Sequence, residues 1–207
     1  TPAGRCIQKP YESIEKYNAD LIERYNRGEM MSADSIHFPD SLKCFTLKKG
    51  RTVYGGGGIM PDIFVPQDTT GVSSYFSMAV NRGLTIQFCF QYTDQNRQKL
   101  QKYTTPDEML KYLKTQNILE QFVRFAETKG LKRRNILINK SKKLFERNLY
   151  GNIIYNMLDM EDYLKFLNQS DPTVLKALEV LESGESFPKV PEQPFEAKHE
   201  GTEKTTA

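Results

Sequence analysis

Residues 84–103 read LTIQFCFQYTDQNRQKLQKY, and the fold class turns on them. Leu84, Ile86, Phe88, Phe90 and Tyr92 alternate, which is the period of a strand with one buried face. Leu84, Phe88 and Tyr92 also recur every four residues, and the polar continuation to Tyr103 suits a helix. No turn residue breaks the run before Thr104, so the stretch is expected to be helical.

Helical signals surround it. DTTGVSSYFSMAVNRG has Ser or Thr near its start and Gly83 at its end, the signs of a capped helix. TTPDEMLKYL offers a Thr cap, Pro at the first helical position and acids in the first turn. NILEQFVRFAETKG sets Ile118, Phe122 and Phe125 on one stripe, with Gly130 as a stop. NKSKKLFERNLYGNIIYNML repeats apolar residues at Phe145, Leu149, Ile153 and Met157. MEDYLKFL is short. DPTVLKALEVLESG has Asp171 as cap, then Pro172, Val174, Leu175, Leu178 and Leu181. Five or six helices are expected over residues 69–184. Residues 185–207 are rich in Pro, Glu, Lys and Thr and are expected to be a disordered tail, having little apolar surface to bury.

The first 68 residues read differently. TPAGRCIQK suggests an extended segment with a turn at Ala3-Gly4, after which Pro10 can open a helix. Ile14, Tyr17, Leu21 and Tyr25 keep helical spacing, and Gly28 suits the end. EMMSADSIHFPD reads as loop with one short turn. Phe45 and Leu47, a Lys-Lys-Gly-Arg turn and Val53 suggest a β-hairpin. A run of four glycines, Gly55 to Gly58, ends it. A short strand from Ile63 to Val65 is then expected between Pro61 and Pro66, short or at an edge because proline cannot donate to a ladder. The expectation is an α+β fold, mainly α, with a β-containing piece at 1–68, a helical domain at 69–184 and the tail.

Composition bounds the function. The chain has 207 residues, with 29 Lys and Arg against 26 Asp and Glu, a net charge of +3. KGLKRRN at 129–135 is the one dense basic cluster and is expected to be a solvated helix junction, so no nucleic-acid partner is expected. Cys6, Cys44 and Cys89 are far apart, with no CxxC pair and no His at metal-ligand spacing, so neither a zinc site nor a disulfide scaffold is expected. No apolar run approaches the roughly 20 residues a membrane span requires. The first residues show no signal-peptide core and no initiator Met, which suggests a segment of a longer protein.

The glycine run invites a phosphate-loop reading, which fails twice. A P-loop needs GxxxxGK[ST] before a helix, and here Ile59-Met60-Pro61-Asp62 follow without a lysine. A dinucleotide fingerprint must also open a helix. Glycines can instead let a backbone take positive φ and pack closely on a neighbour. His37 and His199 are the only histidines, and His199 lies in the tail. His37 has Asp40 and Ser41 nearby, but adjacency in sequence is not triad geometry, and a polar loop histidine is the expectation. Glu161 and Asp162 are adjacent and face different directions, so they read as first-turn acids favoured by a helix dipole. The aromatics Phe88, Phe90, Tyr92, Phe122, Phe125, Phe145 and Tyr150 read as core. The residues alone show no catalytic centre, and no catalytic, cofactor-binding or metal-binding residue is assigned.

Two stretches carry a resemblance. TPAGRCIQ at residues 1–8 resembles the T-P-x-G-R-x-I-Q segment of the C-terminal processing, or tail-specific, serine proteases. Gly58-Ile59-Met60-Pro61-Asp62-Ile63-Phe64-Val65 matches every fixed position of their G-I-x-P-D-I-x-V. The two occur in the family's order and cover about 16 residues. The insertion between them looks like that of some bacterial envelope members, and the region after residue 70 is similar in general character to their C-terminal extension. The resemblance implies strands at residues 1–8 and 52–65 that finish a protease domain. It implies peptide hydrolysis by a serine nucleophile with a lysine general base, neutral because burial depresses its pKa. In that family both residues precede the T-P-x-G-R segment, so no residue here matches them, and the family's PDZ domain has no counterpart here.

The resemblance therefore implies the C-terminal part of a periplasmic or cell-envelope endopeptidase, inactive by itself, with no cofactor. Its partners would be protein or peptide substrates of the intact enzyme, and a homo-oligomer is compatible. The rival expectation is a non-enzymatic helical interaction module with a docking hairpin.

Overall fold

The structure, a computed structural model, describes residue 1, residues 4–48 and residues 50–184. The expected tail at 185–207 lies outside the described residues. The chain divides into two compact units, one spanning Asp68–Glu182 and the other made chiefly of Thr1–Gln67. The fold is α+β and mainly α, and its one sheet among the described residues has two strands.

In the first unit, α1 spans Ile14–Asn26. It begins four residues after Pro10, where a helix start was expected. Ser13 supplies the reason: its hydroxyl accepts from the Lys16 amide, a capping role that the Lys9 preceding Pro10 cannot fill. Lys9 turns back instead, pairing with Asp20 at 3.3 Å and lying 3.9 Å from the Tyr17 ring centroid. Gly28 follows the helix at φ +82°, the left-handed position that favours glycine. The loop holds two 3-10 turns, Ala33–Ser35 and Asp40–Leu42. Strands β1 (Lys43–Phe45) and β2 (Thr52–Tyr54) pair antiparallel with Cys44 opposite Val53. Leu47 belongs to the turn between them rather than to a strand. The expected strand at Ile63–Val65 does not form. Pro61 and Pro66 lack the donors a ladder needs, and Asp62 is drawn to an ion pair with Arg51.

The second unit contains eight helices among its described residues: α2 (Ser74–Asn81), α3 (Leu84–Leu100), α4 (Pro106–Lys114), α5 (Ile118–Thr128), α6 (Asn135–Lys140), α7 (Lys142–Met157), α8 (Met160–Asn168) and α9 (Pro172–Ser183). Five or six were expected. The excess arises partly at Ser141, which separates α6 from α7. Its fully buried hydroxyl donates to the Gly71 carbonyl at 2.7 Å and lies 2.8 Å from the Ser73 hydroxyl, which caps α2 at the Phe76 amide. A side chain held this way fixes the break between two helices to the start of a third.

The decisive stretch is helix α3. It buries Leu84, Phe88, Cys89 and Tyr92, and leaves Ile86 62% and Phe90 68% exposed. Alternation would have put Ile86 and Phe90 on the same face as Phe88, so the two residues the helix expels mark the period that won. Phe90, expected in the core, is on the surface because it sits two residues from Phe88 and turns about 200° away.

Helix α7 is the hub: α3, α4, α5 and α8 all pack on it. Phe145 meets the rings of Tyr75, Phe76 and Phe122 at centroid distances of 5.9, 4.9 and 5.3 Å, and Phe122 meets Phe88 at 5.6 Å. Gly151 lets α8 approach, since a Cβ there would stand 3.1 Å from the Tyr163 ring and 3.3 Å from that of Phe166.

Phe88 and Phe90 test the helical period directly. Phe88→Ala is expected to destabilise the helical unit by about 3–5 kcal/mol. Phe90→Ala should stay within about 0.5 kcal/mol of the parent. Urea titration followed by helical circular dichroism measures both, and equal effects would contradict the burial pattern.

Candidate functional site

The glycine run is built around backbone contact. The Gly55 amide donates to the Leu42 carbonyl at 2.9 Å, prolonging the hairpin by one step. The Gly56 amide donates to the Cys6 carbonyl and the Gly58 amide to the Ile7 carbonyl, each at 2.8 Å. Cys6 and Ile7 of the first segment thus lie beside Gly56 and Gly58, where the second segment, GIMPDIFV, begins. Among the described residues of 1–8 there is no strand, and of the strand expected over 52–65 only Thr52–Tyr54 forms, which corrects that expectation. Positive φ at Gly56 (+79°) and Gly58 (+106°) bends the chain out of a regular ladder.

Gly55 is required by proximity. A Cβ built there would stand 2.6 Å from the Cys6 carbonyl oxygen, closer than real contacts allow. At Gly56 it would meet a Leu42 methyl at 2.8 Å, whereas at Gly57 it would meet nothing within 4 Å. The amides of Gly55, Gly56 and Gly58 are all spent on protein carbonyls. An anion cradle needs such amides free, so the geometry agrees with the failed phosphate-loop motifs.

An ion-pair cluster holds the far side of the run. Arg24 donates to the Gly57 carbonyl at 3.3 Å and to Glu29 at 2.7 Å, and Arg27 reaches Glu29 at 2.8 Å. Burial pushes the Glu29 carboxyl up, but hydrogen bonds from Arg24 and Arg27 outweigh it and leave the pKa below the ordinary value. Nothing in the sequence singles this cluster out, because only the fold places the Gly57 carbonyl beside Arg24.

The other residues weighed as candidates are not brought together into a site. His37 is exposed, Asp40 lies in a 3-10 turn, and no hydrogen bond joins either to Ser41. Glu161 and Asp162 do sit in the first turn of α8, yet both reach Lys165, at 2.9 and 3.4 Å. The basic cluster is partly consumed. Arg133 makes two 2.9 Å bonds to the two oxygens of Glu120, Lys129 lies over the Phe125 ring, and Leu131 is buried. Cys6, Cys44 and Cys89 are all free, and burial pushes the Cys89 thiol above its ordinary pKa, away from thiolate chemistry. Among the described residues no group of His, Cys, Asp or Glu could hold a metal ion, and no helix is long and apolar enough to cross a membrane. His199 lies outside the described residues.

Surface depressions of the helical unit include a cleft and a groove. A small cleft of about 170 Å³ lies between α3 and α5, lined by Phe88, Gln91, Tyr92, Gln95, Gln121 and Phe125. A larger open groove of about 450 Å³ is lined by Lys102, Tyr103, Glu108, Lys111, Tyr112 and Thr115. The sequence gives little notice of that groove, because Tyr103 and Tyr112 sit in separate segments and meet only through the turn before α4.

A family model described as "Family of unknown function (DUF8443)" matches residues 75–159, from the start of α2 to just past α7 and less than half of the chain. No curated protein and no solved structure matches.

Gly55→Ala should cost on the order of 1–3 kcal/mol and remove hydrogen-exchange protection at the Gly56 and Gly58 amides, while Gly57→Ala stays within about 0.5 kcal/mol. Exchange measured by NMR separates the two. Glu29, with its folded-state pKa lowered, adds stability that is present above its unfolded pKa and is lost as pH falls through the lowered value. Glu29→Gln should therefore flatten the loss of denaturant midpoint between about pH 6 and about pH 3. An unchanged slope would show that the cluster does not act through this carboxylate.

Proposed function

We propose that this chain is the C-terminal portion of a serine-type endopeptidase similar to the C-terminal processing proteases. The observation that carries the proposal is that the second signature segment begins beside the first: its Gly58 donates to Ile7, and Gly56, two residues before it, donates to Cys6. Adjacency of this kind is what the resemblance implies for two segments that close one protease domain. Gly55 adds to this, because its place against the Cys6 carbonyl leaves no room for a side chain. In this proposal the serine nucleophile and lysine base belong to a segment preceding Thr1, and the chain alone is inactive. The intact enzyme would act on protein or peptide substrates in the periplasm or cell envelope, and the helical unit would brace the protease domain, restrict access to it or mediate self-association.

A second reading, a non-enzymatic helical interaction module, draws on a different observation. The family match falls wholly inside the helical unit, which has its own core. Such a unit can serve without a protease beside it.

The test compares the longer gene product with residues 1–207 alone on a fluorescence-quenched unstructured peptide. Hydrolysis by the longer protein, abolished by Ser→Ala at the upstream serine and absent from the chain alone, is the expected result. Turnover by the chain alone would overturn the proposal. An upstream sequence without a serine followed by a Gly-Lys-Gly-type lysine segment would leave the interaction module.

A further inference from the structure

We infer that the groove between the end of α3 and the exposed face of α4 is a docking site for an acidic peptide segment carrying an aromatic or aliphatic side chain. Glu108, Lys111, Tyr112 and Thr115 follow the i, i+3, i+4, i+7 spacing of one helix face. Lys102 and Tyr103 come from the turn after α3, closed by the Tyr103 amide on the Leu100 carbonyl at 3.0 Å. The rings of Tyr103 and Tyr112 stack with centroids 4.8 Å apart and 23° between planes. They are partly buried and form an apolar floor, and neither hydroxyl has a hydrogen-bond partner among the described residues.

Charge selects the occupant. Lys102 and Lys111 are exposed, line the groove and have no acidic partner among the described residues. Other exposed lysines of the unit, Lys132 and Lys140 among them, also lack an acidic partner among the described residues; Lys102 and Lys111 differ in lining one groove together beside the stacked tyrosines. Two unpaired ammonium groups beside an apolar floor suit carboxylates flanking an apolar side chain. The volume, about 450 Å³, admits one or two side chains with their backbone. Single-stranded nucleic acid suits the groove less well. It needs a continuous basic track and rings open to a base. Here each tyrosine is stacked on the other, and the groove offers only two cations, while its one carboxylate, Glu108, accepts from the Thr104 amide at 3.4 Å.

The site does not depend on the peptidase proposal, and its test reads binding rather than turnover. The probe is fluorescein-labelled Asp-Glu-Phe-Asp-Glu-Leu, titrated with the whole chain in low-salt buffer and followed by anisotropy. Saturable binding is expected, weakened about tenfold or more by Lys102→Glu with Lys111→Glu, which sets two repulsions where two attractions stood. Lys132→Glu with Lys140→Glu makes the same change of net charge at exposed positions outside the groove and should alter affinity by no more than about twofold. Absence of binding, equal losses in the two variants, or tighter binding of an oligothymidylate than of the peptide would each overturn the inference. Should the groove variant fail to fold, amide shifts in the parent protein decide. Perturbation centred on Lys102, Tyr103 and residues 108–115 supports the site, and perturbation centred elsewhere overturns it.

Discussion

The helical unit depends on one helix being buried from several directions at once. Helix α7 carries Phe145, Leu149, Ile153 and Ile154 fully buried, with Tyr150 and Gly151 also inside. Its buried positions are spread around the helix rather than gathered on one stripe. That is the signature of a central helix, which cannot hold its place alone and must be enclosed. Cys89 donates to the Leu149 carbonyl at 3.4 Å, so α3 touches the α7 backbone directly. Gly151 permits a like approach by α8. The aromatic cluster then links α2, α3 and α5 through Phe145, and the buried pair Ser73–Ser141 fixes the α6–α7 break to the start of α2. A change at Phe145 is felt by three other helices, and loss of the serine pair would remove these partners from the Gly71 carbonyl and the Phe76 amide.

Much of this was legible. A Ser near the start of α2, a Thr before Pro106 and Asp171 mark helix starts, and Ser73, Thr105 and Asp171 each engage an amide two or three residues on, whereas the caps at Ser13 and Asp159 emerge only in the structure. Hairpin chemistry located β1 and β2. The resolution of residues 84–103 as helix followed from the lack of a turn before Thr104, a length argument rather than a period argument. What failed has physical causes. Phe90 looked like core because aromatic residues usually are, and only the settled period shows that it faces outward. Ile63–Val65 looked like a strand because a strand needs apolar residues, but it also needs a donor row and a partner. Two prolines and the Arg51–Asp62 pair deny both.

The candidate site was legible in kind and not in position. Its glycines were expected to serve close backbone approach, and the motifs pointed away from phosphate. The contact itself could not be read, because Cys6 and Gly56 are separated by a helix, a loop and a hairpin. Nor could the Arg24–Glu29–Arg27 cluster, since ion pairs between neighbouring charges become structural only when something, here the Gly57 carbonyl, anchors one partner. The same limit hid the Tyr103–Tyr112 groove.

The first unit poses a physical problem that its details help to answer. A two-stranded hairpin of three residues a side is marginal in water by itself. Helix α1 has no fully buried residue, and Ile14, Leu21 and Ile22 stand mostly exposed. The unit is held instead by the backbone bonds of Gly55, Gly56 and Gly58, by the charges on Glu29, and by Lys9 against Tyr17 and Asp20. Those contacts secure its turns, while Ile14, Leu21, Ile22 and Tyr25 stay outward and none of its apolar side chains among the described residues is fully buried. Backbone order with so little apolar burial suits a piece whose hydrophobic surface is completed by something else. The proposed protease domain would supply that surface, and the outward stripe of Ile14, Leu21 and Tyr25 along α1 is the face on which the two would be expected to meet.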